Sequence, residues 1–261
     1  MWRPILSLLL FFLNQVLAFI FTLLYELRAG NIRSASLEDL NSVLSNIDAV
    51  HYGTALLFTT IAFIGIMLLT RLSWKGALTA FSRGLPRNWA WGIGGFIVIS
   101  LGVNGILSPF DIENPGVSAI FSGMQHSVWC AMLIIFAGPL AEELVFRDCI
   151  IRGMLPAGRW WAVIISSFAF ACIHGNLMQG IPAFVMGVVL ALLYLQTGDL
   201  RLCLPAHILN NALGFWELRQ HELTECSGQW PPYVLPFVGG CLVICGLWML
   251  KMMPLNIRNP R

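Results

Sequence analysis

The stretch GPLAEELVFRDCIIRG, residues 138–153, decides how the rest of this sequence is interpreted. Two adjacent glutamates, Glu142 and Glu143, follow a strongly apolar run, and Arg147 and Asp148 come soon after them. Ionised side chains at membrane depth are costly and are seldom kept without a function. Two questions follow: whether the surrounding chain is a membrane domain, and what these charges do inside it.

The composition is typical of an integral membrane protein. The 261 residues are 57% hydrophobic and only 11% charged, whereas soluble domains carry about 25% charged residues. The net charge is only +2, and no basic stripe with interleaved aromatic residues is present, so we expect no nucleic-acid partner. The seven cysteines lie almost all in or beside apolar segments and form no disulfide framework or CxxC metal site. We therefore expect a single integral membrane domain over residues 1–261, with the lipid bilayer as its environment.

Long apolar runs predict an all-α, polytopic membrane protein with about eight transmembrane helices. A spanning helix needs about 20 mostly apolar residues. The first apolar run, up to Tyr25, is longer than the ~7–15 residues of a signal-peptide core, so we expect it to be retained. The candidate segments are Ile5–Leu24, Thr54–Leu72, Trp89–Leu107, Ala119–Leu140, Trp160–Ile173, Ile181–Leu195, Leu202–Leu218 and Tyr233–Met253.

The distribution of positive charge predicts the orientation. With a cytoplasmic N-terminus, most of the 15 lysines and arginines fall in loops on the cytoplasmic side. The positive-inside rule then places both termini in the cytoplasm. Residues 30–48 carry leucine and isoleucine at helical spacing among polar residues, which predicts an amphipathic helix on the membrane surface.

Helical spacing assigns different tasks to the two glutamates. Residues four apart share a helix face, so Glu143 can pair with Arg147. Glu142 is turned about 100° away from that face and is left free to point into the bundle. An unpaired carboxylate in a dry site can accept a proton near neutral pH.

Two further apolar segments carry polar side chains at helical spacing. His174 ends one segment, with Phe170 one turn before it, and His207 and Asn211 share a face of another. Asn210, three residues from His207, is a poorer candidate. A glutamate with a histidine can deprotonate water, and a histidine with an asparagine can donate hydrogen bonds to an oxyanion. The set favours a peptide-bond hydrolase.

Glu142-Glu143-x-x-x-Arg147, Phe170-x-x-x-His174 and His207-x-x-x-Asn211 resemble the three motifs of the CPBP intramembrane proteases. This family comprises CAAX-type prenyl-protein endopeptidases and bacteriocin-processing enzymes. The resemblance covers about residues 120–215, which we take as the segment that carries the protease motifs.

The resemblance implies a function and a role for each motif residue. It implies an endopeptidase that acts on a membrane-anchored polypeptide. Glu142 and His174 would activate the attacking water, and His207 and Asn211 would stabilise the oxyanion. Glu143 and Arg147, with Phe170 before His174, would support them. Asp148 stands where many members of the family have a small residue.

A metalloprotease is the nearest alternative. One glutamate and two histidines, here Glu142, His174 and His207, can bind zinc and leave a position for water. No cofactor is favoured, largely because the family resemblance implies metal-independent glutamate catalysis. The chain also lacks HExxH. The nearest match to that motif, at residues 221–225, has no second histidine.

Thiol, serine and proton-relay chemistry are less favoured by the sequence. Cys203, four residues before His207, could serve as a nucleophile, whereas Ser166 and Ser167 lack a GxSxG turn. The same charges could form a proton relay in a transporter, although no inverted repeat supports this. A non-catalytic membrane scaffold or immunity protein also stays open.

The predicted helix ends contain a conflict. They place Glu142 at the inner end of the fourth helix and His174 at the outer end of the fifth. The two residues can meet only if the boundaries differ or a helix is broken, and Pro139 is a candidate for such a break.

Overall fold

The computed structural model describes residues 2–31, 47–70, 72, 82, 84–110, 123–221, 231 and 233–253. Regular structure in these ranges is entirely helical. We count the helical run from Val128 as one element. The helices are α1 (Trp2–Ala29), α2 (Ala49–Leu69), α3 (Trp89–Leu107), α4 (Val128–Ala157), α5 (Arg159–Cys172), α6 (Leu177–Thr197), α7 (Cys203–His221) and α8 (Val234–Met252).

The prediction of an all-α, polytopic membrane protein is confirmed. Six of these helices are long and apolar enough to cross a membrane. The count of eight spans is not confirmed, because α5 is only 14 residues long and α7 carries many polar residues. The orientation of the termini stays a prediction. The surface helix predicted over 30–48 falls largely outside the described residues.

The fourth helix lies at the centre of the bundle and is longer than predicted. It contacts α1, α2, α5, α6 and α7. It runs from Val128 to Ala157, so its predicted end at Leu140 was wrong. The polar cluster that follows Leu140 stays helical because its charges are paired inside the protein. Glu142 therefore lies in the middle of α4 rather than at its end, which removes the conflict with His174.

Pro139 does not break α4. The turn before it, Leu133–Ala137, is π-helical, and the Gly138 N–H bonds to the Leu133 carbonyl. A π-helical turn widens the helix, which relieves the clash that a proline ring otherwise makes with the preceding turn. The next bond of that turn would run from residue 139 to the Ile134 carbonyl, but proline has no N–H. The Ile134 carbonyl is therefore available to another donor.

The first two helices form one wall of the bundle. The buried face of α1 repeats every three or four residues, from Pro4 and Ser7 through Asn14 to Glu26, while its other faces expose large apolar side chains. Asn14 Nδ2 donates to Thr60 Oγ1 of α2 at 3.1 Å. A polar contact of this kind fixes the helix pair where the hydrophobic effect between helices is weak.

Glycines bring α3 and α8 into backbone contact. A Cβ at Gly239 of α8 would lie 2.5 Å from the Gly102 carbonyl oxygen of α3. A Cβ at Gly246 would lie 2.8 Å from the Gly95 carbonyl oxygen. Small residues permit such close approach between membrane helices. The α3 helix also contacts α6 and α7, so this pair supports α7 from behind.

Candidate active site

A cavity of about 680 Å³ lies inside the bundle. The four residues predicted to be catalytic, Glu142, His174, His207 and Asn211, all line it. They come from α4, α7 and the turn after α5, so the fold brings together side chains that are far apart in sequence. The other lining residues are Phe11, Gln15, Tyr52, Leu56, Thr60, Met124, Leu133, Ile134, Gly138, Pro139, Ala141, Gln179, Asn210, Gly214 and Phe215.

His207 lies between the two adjacent glutamates. Its Nδ1–H donates to Glu143 Oε1 at 2.9 Å, and its Nε2 lies 3.6 Å from Glu142 Oε2. The side chain of Glu143 is fully buried, whereas that of Glu142 is 20% exposed. Glu142 therefore faces the cavity, while Glu143 orients the His207 ring from behind. The sequence predicted that Glu142 points into the bundle, but it did not predict the contact between Glu143 and His207.

Glu143 is also paired with Arg147, as its spacing predicted. Arg147 Nε lies 3.3 Å from Glu143 Oε2, and both side chains are fully buried. The Arg147 guanidinium stacks over the Phe170 ring at 4.8 Å and donates to Ser166 Oγ at 3.4 Å. A buried ion pair with further polar partners is a rigid support. Arg147 thus ties α4 to α5 directly behind the cavity.

The backbone of α5 sets the orientation of His174. His174 Nδ1–H donates to the Phe170 carbonyl at 2.8 Å, so the neutral ring has its lone pair on Nε2. The Phe170 ring separates the two histidines, with centroids 5.0 Å from His174 and 5.7 Å from His207. Gly175, at φ 70°, then turns the chain towards α6. His174 is thereby fixed with one basic nitrogen available.

Asn211 is held by the carbonyl that Pro139 leaves free. Its Nδ2 donates to the Ile134 carbonyl at 2.9 Å. The second N–H of the same nitrogen is left for a ligand. Pro139 therefore acts on the cavity by exposing a carbonyl, and not by breaking the helix.

Asp148 has partners of its own on the side of α4 away from the cavity lining. It lies 3.4 Å from Arg152 Nε and accepts a hydrogen bond from the Tyr194 hydroxyl at 3.1 Å. Arg152 also donates to that hydroxyl at 2.9 Å. This cluster joins α4 to α6, and it gives the buried Asp148 carboxylate its partners.

Four polar residues that line the cavity were missed by the sequence reasoning: Gln15, Tyr52, Thr60 and Gln179. Gln15 and Tyr52 come from the α1–α2 wall, and the Tyr52 hydroxyl donates to Gln15 Oε1 at 3.4 Å. Gln179 lies in the first turn of α6, where Asn176 caps the helix by accepting from the Gln179 N–H at 2.9 Å. The Asn-x-x-Gln spacing is a capping signal and could have placed Gln179 beside His174.

The serine and cysteine nucleophiles considered from the sequence lie away from the cavity. Ser166 and Ser167 are fully buried, and Ser166 donates to the Phe146 carbonyl at 2.7 Å. Cys203 is also fully buried and lies next to the Glu143 carboxylate. None of the three lines the cavity.

In the described part of the chain, the side chains do not form a group with the arrangement of a zinc site. No group of three or more histidine, cysteine, aspartate or glutamate side chains converges there in a way that could hold a metal. Both Nδ1 atoms of the cavity histidines are already engaged. The near match to HExxH at 221–225 lies outside the described side chains.

Comparison with known proteins confirms the predicted resemblance. Residues 124–213 match the family described as type II CAAX prenyl endopeptidase Rce1-like. The chain is also 27% identical over 128 residues to a protein of Bacillus subtilis (strain 168) named "Putative membrane peptidase YdiL". That alignment covers 46% of this chain and 52% of the relative, so the chain spans about half the length of the curated relative it matches. No solved structure matches the chain.

Proposed function

We propose that this chain is an intramembrane endopeptidase in which Glu142 and His174 activate a water molecule for attack on a peptide bond. The observation that carries the proposal is the shared cavity, which Glu142, His174, His207 and Asn211 all line. The similarity to a prenyl endopeptidase family over residues 124–213 supports the same reaction class. The substrate is a membrane-anchored polypeptide that enters from the bilayer.

The proton transfers follow from the partners of each side chain. Glu142, assisted by the free Nε2 of His174, takes a proton as the water oxygen bonds to the scissile carbonyl carbon. The carbonyl oxygen becomes an oxyanion. Asn211 Nδ2 donates to it, and His207 donates from Nε2 when both ring nitrogens are protonated. Glu142 then returns the proton to the leaving amine as the C–N bond breaks.

Glu143 is a positioning residue in this scheme. It holds His207 through Nδ1, so that Nε2 points towards Glu142 and the cavity. A carboxylate behind a histidine also stabilises the doubly protonated ring, as in catalytic triads. Arg147 pairs with Glu143 in its buried position.

The experiment compares purified wild type, Glu142→Gln and Glu26→Gln on a panel of fluorogenic apolar peptides in detergent. Glu26 is an equally suitable glutamate for a control, because it is buried in α1 but does not line the cavity. Loss of a general base costs ~10²–10⁴-fold in rate, so only Glu142→Gln should lose cleavage. Equal cleavage by all three proteins would overturn the proposal.

Two additions to the same assay separate the competing mechanisms. A zinc chelator leaves a glutamate–water mechanism unaffected but abolishes a zinc mechanism. A cysteine or serine nucleophile would form an acyl-enzyme intermediate, whereas an activated water would not. Hydroxylamine traps such an acyl-enzyme by converting its acyl group to a hydroxamate. We expect full activity with chelator and no hydroxamate. Wild type that cuts no peptide in the panel would favour the scaffold.

A further inference from the structure

The α7 helix presents two neighbouring asparagines to the cavity, and only Asn211 belongs to the motif. Asn210 also lines the cavity, and it makes one hydrogen bond to the described residues. The Ser100 hydroxyl of α3 donates to Asn210 Oδ1 at 2.6 Å. Ser100 is only 7% exposed, so water competes little for this contact. The oxygen end of the Asn210 amide is therefore fixed towards α3.

The nitrogen end of the same amide has no protein partner among the described residues. A planar carboxamide holds its oxygen and nitrogen at the same carbon but in different directions, so with Oδ1 on Ser100 the Nδ2 atom does not contact the same hydroxyl. Two N–H donors are then left for whatever fills the cavity. The neighbouring Asn211 is arranged differently, because its nitrogen has already given one N–H to the Ile134 carbonyl.

A purely structural contact between α3 and α7 explains the hydrogen bond but not its direction. Buried polar groups in proteins are normally hydrogen-bonded, so an asparagine with a purely structural role should have a protein partner for its nitrogen as well. A donor that loses its water when a ligand enters must find an acceptor, or the ligand binds more weakly. In a cavity that admits a polypeptide, the backbone carbonyl is the acceptor that every substrate offers.

From these contacts we infer that Asn210 is a substrate-binding residue, whose Nδ2 donates to a backbone carbonyl oxygen of the peptide. Ser100 is its positioning residue. The inference rests on the proposed function, since it deepens the description of the same cavity. It also gives α3, which lies outside the segment 124–213 matched by the family, a part in substrate binding.

The test measures peptide binding in a background that does not depend on cleavage. Glu142→Gln is the parent, and the probe is the panel peptide that binds it most tightly by fluorescence anisotropy. Asn210→Ala should weaken this binding about 10-fold, because one net hydrogen bond is lost. Asn210→Asp should weaken it further, because a carboxylate oxygen repels the carbonyl. Leu209→Ala, an outward-facing neighbour with 43% exposure, should bind like the parent.

Ser100→Ala tests the positioning role. We expect a loss of about three-fold in binding, and no further loss when Ser100→Ala is added to Asn210→Ala, because Ser100 acts through Asn210. In the active protein, both changes should raise KM and leave kcat within about two-fold. Loss of the hydrogen bond between α3 and α7 should lower the thermal unfolding temperature in detergent by only about 2–4 °C, so every variant that is compared is folded at the assay temperature.

Two results would overturn the inference. One is Asn210→Ala binding the peptide as tightly as Leu209→Ala does. The other is additive losses for Ser100→Ala and Asn210→Ala, which would make Ser100 independent of the amide. Peptide binding that depends on Asn210 without any cleavage by wild type would refute hydrolysis and keep the inference. If cleavage is lost in Glu142→Gln but Asn210→Ala binds the peptide normally, the proposed hydrolysis is supported and the inference about Asn210 is refuted.

Discussion

Replacing Glu143 separates support of the fold from support of the reaction. At 3.3 Å and an effective dielectric constant of about 20, the attraction between Glu143 and Arg147 is about 5 kcal/mol. Removing one partner of a buried pair leaves the other charge uncompensated, which costs ~3–5 kcal/mol. Glu143→Leu should therefore unfold at much lower denaturant concentration than wild type, measured by SDS-induced unfolding in mixed micelles.

The double variant Glu143→Leu/Arg147→Met isolates the role of Glu143 towards His207. Replacing a whole buried ion pair by apolar residues is often neutral for stability, so we expect unfolding near that of wild type. Peptide cleavage should fall by ~10²–10⁴-fold, because His207 Nδ1 has lost the acceptor that it contacts at 2.9 Å, and loss of the carboxylate behind a catalytic histidine costs up to ~10⁴-fold in kcat. The assay is kcat on the fluorogenic peptide, measured on protein that is shown to be folded.

A matched pair on the same helix provides the control. Asp148 and Arg152 have the same spacing as Glu143 and Arg147, and neither lines the cavity. Asp148→Asn should lower stability and leave kcat of the folded protein unchanged. If the Glu143/Arg147 double variant cleaves peptide at the wild-type rate, the assigned orientation of His207 by Glu143 is refuted.

Three further substitutions should affect catalysis, have little effect on cleavage, and impair folding, respectively. Pro139→Ala restores an N–H that can bond to the Ile134 carbonyl and displace Asn211, so kcat should fall ~10²–10³-fold, the cost of losing one oxyanion donor, without a loss in thermal stability. Wild-type kcat would contradict this. Cys203→Ala should cleave within about three-fold of wild type, because a buried thiol contributes packing and no chemistry, whereas inactive but folded protein would revive the thiol mechanism. Gly239→Leu should prevent folding or cost several kcal/mol in SDS-induced unfolding, because its side chain would overlap the backbone of α3; normal unfolding would contradict the close helix contact.

The sequence predicted the fold class and the polar residues that share the cavity more accurately than it predicted where the helices end. The predicted fourth segment ended at Leu140 because charged residues follow. A hydropathy criterion treats each charged side chain as if it were exposed and unpaired. In the structure Glu143 and Arg147 neutralise each other, and Asp148 has partners in α6, so the helix continues to Ala157. The conflict between Glu142 and His174 came from that boundary alone.

Contacts between helices could not be predicted from spacing. Helical periodicity places residues on a common face of one helix, and it correctly paired Glu143 with Arg147. It cannot show that Glu143 contacts His207 or that Ser100 holds Asn210, because those contacts depend on how α4, α7 and α3 pack. Asn211 was identified by its spacing from His207, whereas its anchor on Ile134 required the π-helical turn before Pro139.

The central claim is that the Glu142 carboxylate activates water. The ratio of kcat/KM between wild type and Glu142→Gln tests this claim most directly. We would measure kcat/KM for wild type and Glu142→Gln on the same peptide, in the same detergent and with a zinc chelator present. A glutamine keeps the shape of the side chain but cannot accept the proton. The account predicts a loss of ~10²–10⁴-fold in kcat/KM, the range for a removed general base, with chelator-treated wild type fully active. Comparable kcat/KM for the two proteins would contradict it.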